Sequence, residues 1–340
     1  MAWQDQLRGD SVAWLLEKEN PGVRYLALRD LVGLLAEDAE LKSARKKAHR
    51  EGPIAEILSH MEKAGYWVRE GAGYNPKYFS TDWSIIALAQ LGACGSEDKR
   101  IEQACRYLLE HGLAEGGQFA TNIHGAPSST IDCLQGNLCW SLMELGCDDP
   151  RLKKACEWMA RSVTGDGVSP KEEKNEPVRY FAYKCGPNFA CGVNNGLHCA
   201  WGGVKVLMAL GKLPVKKRTA LIKKAVRQGA EFFFGIDPAT AKYPTRDKSG
   251  RPSRDWWKFG FPVFYITDLL QLAEAFVSLG YGNDPRLANT LNIIREKQNE
   301  HGQWPMEFNY TGKTWSDFGK NRQPNKWVTL RALRVLKAVE

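Results

Sequence analysis

The sequence predicts an all-α protein, an α/α toroid with concentric inner and outer helices, on three observations. Four short, almost wholly apolar segments, 82–92, 132–146, 198–211 and 268–280, end in Leu-Gly. A turn follows each, twice reading Asp-Pro-Arg, and then a more polar amphipathic segment. Strand-type alternation is scarce. A helix apolar on every side must be buried, whereas its amphipathic partner lays one stripe on it and turns the rest to water. Repeated along the chain, that unit closes into two concentric layers or extends as an open solenoid.

The elements follow in order. Residues 22–35 and 52–64 read as a helix pair ahead of the first repeat. The apolar helices then alternate with outer helices over 100–110, 152–162, 216–234 and 286–298. Gly92, Gly146, Gly211 and Gly280 are placed to supply left-handed C-caps. Residues 326–337 read as one more inner helix closing the array. Two connections, 165–196 and 235–262, are rich in Gly, Pro and aromatic residues, and connections of that length are usually functional. Residues 1–340 thus form one domain, with 1–74 supplying N-terminal helices and 75–340 the repeats.

Composition narrows the function. The 340 residues are 43% hydrophobic and 25% charged, with 12 Trp, 11 Tyr and 13 Phe. That many aromatics exceed the needs of a core and suggest an aromatic-walled cavity. The first residues lack the basic stub and apolar stretch of a secretory signal. No apolar run approaches the ~20 residues that span a bilayer. The 9 Cys are therefore expected as thiols in a reducing cytoplasm. Net charge is +8, with basic clusters at 45–47 and 216–224 that read as solvated helix faces. No nucleic-acid motif accompanies them, so nucleic acid is not an expected partner. The absence of a P-loop, G-x-G-x-x-G, G-x-S-x-G and H-E-x-x-H removes the corresponding nucleotide, hydrolase and zincin readings.

Residues 296–304 (Glu-Lys-Gln-Asn-Glu-His-Gly-Gln-Trp) resemble the Gln-Trp repeat of squalene–hopene cyclases, and Glu115-Gly116-Gly117-Gln118-Phe119 is a looser copy. From about residue 75 onward the layout resembles the prenyltransferase and squalene-oxidase repeat group. This group is similar to terpenoid cyclases and protein prenyltransferase β subunits, and the resemblance is nearest to uncharacterised bacterial members. It implies an α/α toroid. The Asp-x-Asp-Asp acid motif of the cyclases is absent here.

In a toroid the inner helices run parallel, so their starts gather at one mouth: Asp82, Asp132, Cys133, His198, Cys199 and Asp268. Cys185 and Cys191 lie in the loop that leads to the helix at 198. Thiolate and imidazole ligands suit Zn²⁺, which takes four in structural sites and three plus an open position in catalytic ones. Cys133, Cys185, Cys191 and Cys199 form the expected metal set, with His198 as an alternative to Cys185. The same cysteines also read as buried thiols. The resemblance adds that prenyltransferase β subunits bind zinc through an Asp-x-Cys and a later His, similar in position to Asp132-Cys133 and His198.

Asp82, Asp132, Asp268 and His198 are the candidate catalytic groups, and the carboxylates read equally as helix caps or first-turn dipole partners. Tyr78, Trp83, Trp256, Trp257, Phe264 and Tyr265 are the candidate substrate-binding aromatics, with 255–262 as cavity wall or lid. His49, His60, His111 and His301 read as solvated. The expectation is a zinc-dependent transferase, lyase or cyclase acting on a small apolar or isoprenoid-like molecule. Two alternatives stand beside it: a non-catalytic toroid with a structural zinc, and a metal-independent terpene-cyclase-like enzyme using an Asp acid.

Overall fold

The computed structural model describes residues 3–124, 128–166, 184–244 and 253–339, and there the chain forms thirteen α-helices and one short hairpin. Parts of both long connections, 167–183 and 245–252, lie outside the described residues. Six helices form the inner layer: α2 (Pro21–Ala27, continued by a π turn over Leu28–Val32), α5 (Thr81–Gln90), α7 (Asp132–Glu144), α9 (Ala200–Lys212), α11 (Leu269–Leu279) and α13 (Lys326–Ala338). Successive members from α5 to α13 pack side by side, and α13 packs on α2. The ring closes where Gly92, just past α5, lies against Leu26 and Tyr25 of α2. Outside stand α1 (Ser11–Leu15), α3 (Ala39–Arg50), α4 (Pro53–Ser59), α6 (Lys99–His111), α8 (Pro150–Thr164), α10 (Ala220–Phe234) and α12 (Ala288–Glu296). The fold is an α/α toroid. No described helix is long and apolar enough to cross a membrane.

Local chemistry explains the boundaries. Every residue of α5 from Thr81 to Ala89 is buried, as an all-apolar helix requires, whereas α6 buries one stripe. The Asp-Pro-Arg turns start outer-layer segments: Asp149 caps the Arg151 N–H at 2.8 Å, Pro150 opens α8, and the Arg151 guanidinium returns to the same carboxylate. Asp284-Pro285-Arg286 repeats the device ahead of α12.

Three expectations are corrected. Gly92, Gly146 and Gly280 are left-handed (φ +77°, +85° and +90°), but Gly211 lies inside α9. There a Cβ would collide with Ser278 Oγ, so Gly211 serves helix packing rather than capping. The expected N-terminal pair is a set of four: α1 comes first, α2 turns into a π turn, α4 ends at Ser59, and α3 lies between those two. His49 is buried, with Nδ1–H donating to the Arg45 carbonyl (2.8 Å) and Nε2 accepting from the Cys94 N–H (2.9 Å), so it staples α3 to the end of α5.

The segment 259–265 decides the shape of the interior. It enters the ring from the end where the inner helices start, and it bonds to helices all round it. The Gly260 carbonyl accepts from Arg331 of α13 (2.7 Å), Val263 exchanges two bonds with the Gln90 side chain of α5 (2.8 and 2.7 Å), and the Phe264 carbonyl accepts from Asn137 of α7 (3.0 Å). Phe261 stacks on Trp327 at 4.7 Å. Of the stretch 255–262 expected as wall or lid, residues 259–262 belong to this plug, and Trp256 and Trp257 pack against 238–239 instead.

α7 and α9 approach closely through Gly136, where a Cβ would collide with the backbone carbonyl of Lys205. Backbone cannot yield as a flexible side chain does, so Gly136→Ala should destabilise the fold by about 1–3 kcal/mol, the usual cost of overpacking. Urea denaturation measures it, and an unchanged midpoint would contradict this packing.

Candidate functional site

The expected metal and acid residues divide among separate places. The first is a thiol corner at the starts of α7 and α9. Cys185–Gly186 and Ala190–Cys191 form a two-stranded antiparallel hairpin in which Cys185 faces Cys191. The Cys199 N–H bonds the Phe189 carbonyl at 2.9 Å, which folds the start of α9 onto the hairpin. Gly202 lets Asp132 come close, because a Cβ there would stand 2.9 Å from the Asp132 Cβ. Asp132, Cys133, Cys185, Cys191 and Cys199 therefore interact, although three separate segments supply them.

The groups of this corner have opposite electrostatics. The neighbouring Cys199 thiol, the N–H groups of Asn194 and Val193 and the Lys184 charge all favour a Cys191 thiolate and pull its pKa down to about 6 despite burial. Burial pushes Asp132 up to about 8 and Cys133 up to about 12, and the neighbouring Cys191 charge reinforces both. Neither Asp132 oxygen has an N–H or O–H donor among the described residues, and the Cys185 thiol is what faces it. All nine cysteines are free thiols. Among the described residues no three His, Cys, Asp or Glu side chains already stand in an arrangement that would hold a metal ion. His198 is exposed and bonds the Asn188 carbonyl through Nδ1 (2.7 Å), so it stands outside this corner.

The second place is an aromatic face. Tyr78, held at φ +72°, contacts Trp83 (5.2 Å between centroids), Phe264 (5.4 Å), Tyr265 (6.4 Å) and Tyr310 (4.6 Å). A bulky residue in that backbone region is strained, and such strain clusters at functional sites. Lys77 Nζ stands 4.9 Å above the Tyr265 ring. Tyr265 also meets Trp201 at 6.2 Å, two residues beyond Cys199, so the aromatic face adjoins the thiol corner. Trp256 and Trp257 are not part of this face. Their indole N–H groups donate to the carbonyls of Pro238 and Ala239, and Trp256 lies parallel to Phe233 of α10. Indoles that need a hydrogen-bond acceptor found one in the packing between layers.

The carboxylates part company. Asp268 is the N-cap of α11, accepting from Gln271 N (2.7 Å), and it also takes the Gly260 N–H and two bonds from Arg331 (3.0 Å each). It is a structural anchor rather than a free acid. Asp82 is fully buried behind Gly73, and neither of its oxygens has a partner among the described residues. Burial alone holds its pKa well above the carboxylate range.

The cavity lies elsewhere. Below the plug, the ring encloses about 70 Å³, walled midway by Asn137, Lys205, Gln271, Glu274 and Arg331. Its other end is ringed by Arg29, Glu144 and Arg334, whose side chains are 34%, 14% and 29% exposed. It therefore reaches solvent at the end opposite the one expected, and its wall mixes charged groups with apolar ones such as Trp140, Met208 and Phe261. Arg331 is 5% exposed and binds Asp268 and Glu274 together. Lys205 donates to Gln271 Oε1, which also receives the Thr267 hydroxyl (2.6 Å). Sequence reasoning passed over these residues, yet Lys205 is the one charge inside the apolar run 200–211, and that signal was available.

No family model matches the sequence, and no curated protein does. Solved structures do. A heparin-specific unsaturated glucuronyl hydrolase is 11% identical with a TM-score of 0.50, over 94% of this chain and 84% of that one. An unsaturated glucuronyl hydrolase from Bacillus sp. GL1 is 13% identical with a TM-score of 0.48, over 93% and 83%. A type II terpene cyclase from Scytonema is 11% identical with a TM-score of 0.31, over 87% and 96%. At 11% identity the first of these likenesses speaks for the fold alone.

Asp82 yields a sign-definite prediction. Its native pKa lies above the unfolded value of about 3.9, so the native state keeps a proton that the unfolded state releases. Stability is then lost as pH rises from the unfolded value towards the native one. Asp82→Asn should be more stable than wild type at pH 7, with the gap closing towards pH 4, in paired urea titrations. A variant less stable at pH 7 would contradict an unpartnered, protonated Asp82.

Proposed function

We propose that this chain is an enzyme acting on a small molecule, with its chemistry at the thiol corner and its apolar substrate surface on the adjoining aromatic face. The observation that carries the reading is the convergence of Asp132, Cys133, Cys185, Cys191 and Cys199 at the starts of α7 and α9, where Cys191 is held below its ordinary pKa and Asp132 above its own. A thiolate is the nucleophilic form of cysteine, and preformed donors are what stabilise it. A carboxylic acid that keeps its proton at neutral pH supplies a general acid to a leaving oxygen or a developing carbanion. A thiolate attack with proton delivery from Asp132 describes a transferase or lyase step. Tyr78, Trp83, Tyr265 and Trp201 offer flat apolar surface for an isoprenoid-like or ring-shaped group.

A second reading is favoured by the crowding of thiols. Cys133, Cys191 and Cys199, with Asp132 lacking a donor, form a donor set whose chemistry suits zinc, and Cys185 is a further thiol. Bound there, zinc would act as a Lewis acid and lower the pKa of a ligated thiol or water. The side chains would have to draw together to hold it.

One experiment separates the two. Metal content is measured by mass spectrometry on untagged wild type, Cys133→Ser and Cys199→Ser, alongside iodoacetamide labelling mapped by peptide across pH. Near-stoichiometric zinc in the wild type, lost in both variants, supports the metal reading. Metal-free protein in which Cys191 labels first, with a midpoint near pH 6, supports the thiolate reading. Metal-free protein whose Cys191 reacts no faster than Cys94 and Cys147 would overturn both.

A further inference from the structure

The axial cavity has a different lining from the thiol corner, although the Cys133 charge reaches both, and its chemistry centres on Lys205. The side chain is 1% exposed, projecting from the middle of α9 into the ring. Charged groups act on it from three elements: Asp268 and Glu274 of α11, Arg331 of α13 and Cys133 of α7. Both carboxylates are already committed to Arg331, which donates two bonds to each. The hydrogen bond that Lys205 makes goes to a neutral amide, Gln271. An ammonium buried without its own carboxylate is costly, so the amine sheds its proton instead. Burial brings its pKa down to about 7. The free amine, the state in which lysine is a nucleophile, is therefore far more accessible near neutral pH than for an exposed lysine.

The space has a definite size and a second polar feature. A cavity needs roughly 10–15 Å³ to admit a single water. About 70 Å³ thus has room for a few waters or one small molecule. Arg334 borders the same cavity, and its Nε–H is buried without a partner among the described residues. Such a donor suits an acidic oxygen. The open end is closed over by ion pairs, Arg29 with Glu144 at 3.7 Å and Arg334 with Asp30. Partly exposed pairs of this kind are individually weak, so they bar entry only loosely.

We propose that the axial cavity binds a small 2-oxo or aldehydic acid and that Lys205 forms an imine with it. The amine lone pair attacks the carbonyl carbon to give a carbinolamine. The carbonyl oxygen then leaves as water with the two hydrogens of the amine, and a carbon–nitrogen double bond remains. No oxidant or reductant enters. The acid group of the ligand meets Arg334, and the plug at 259–265 keeps bulk water from the other side.

Glyoxylate, with five non-hydrogen atoms, is the probe. The full chain is incubated with it at pH 7 and sodium cyanoborohydride, and the products are read by intact mass and peptide mapping. The expected result is one reduced adduct per chain on Lys205, missing in Lys205→Met, with benzaldehyde, which is too large, leaving Lys205 at least tenfold less labelled. Labelling spread over exposed lysines such as Lys99 and Lys42, with Lys205 unmodified in the wild type, would overturn the proposal. So would equal labelling of Lys205 by both aldehydes, since that reports an open surface amine. The wild-type map decides the matter even where the variant folds poorly, and metal content or Cys191 reactivity bears on neither outcome.

Discussion

The guanidinium of Arg331 is the point on which the interior depends. The axis of the six-helix ring is filled partly by the plug, with Phe261, Val263 and Phe264, and partly by charged groups. Arg331 reaches from α13 to two carboxylates of α11 and to the Gly260 carbonyl, so it ties two inner helices and the plug to one group. A buried pair of this kind adds little net stability over an apolar replacement, but losing one partner costs about 3–5 kcal/mol because the other charge is stranded. Its consequence is positional. By consuming Asp268 and Glu274 it leaves Lys205 to an amide, and by holding Gly260 it seats the segment that closes one end of the ring.

The thiol corner follows from a different constraint, close approach of backbone. Gly136 and Gly202 let α7 and α9 come together where any Cβ would collide, and the hairpin at 185–191 then folds over their starts. Three segments far apart in the chain thereby share one small volume. Within it the helix-start carboxyl of Asp132 loses its solvent, while the Cys191 sulfur gains donors. Two groups of ordinary pKa order are thus pushed in opposite directions by environment alone, which is how a fold prepares an acid and a nucleophile at one pH.

Part of the site is legible in the amino-acid pattern. Asp132, Cys133 and Cys199 lie at inner-helix starts as the repeat implies, and Tyr78, Trp83, Phe264 and Tyr265 share one aromatic face. Other parts are not. Asp82, Asp132 and Asp268 look alike in sequence, each at a helix start. One has no partner, one faces thiols, and one is a bonded cap, because their surroundings come from residues 73, 185 and 331, which no local pattern connects to them. Trp256 and Trp257 stand beside Phe259 and Phe261 in sequence, yet their N–H groups are drawn to Pro238 and Ala239 rather than to the ring axis.

What the sequence determined by itself was the all-helical layering, with the choice between a closed ring and an open solenoid left to the tertiary contacts of Gly92 with Leu26 and Tyr25. Apolar helices that must be buried, amphipathic partners and capped turns leave few arrangements other than two concentric layers, and those are local properties of periodicity and cap chemistry. What only the tertiary structure decided was the surroundings of the charged and thiol groups: which end of the ring is open, which charges are spent on each other, and which thiol is held below its ordinary pKa. Those outcomes depend on distances between residues tens to hundreds of positions apart, and on the dielectric that surrounds them after packing. Periodicity carries neither quantity, so Lys205 could be seen as a lone charge in an apolar helix, but its environment could not.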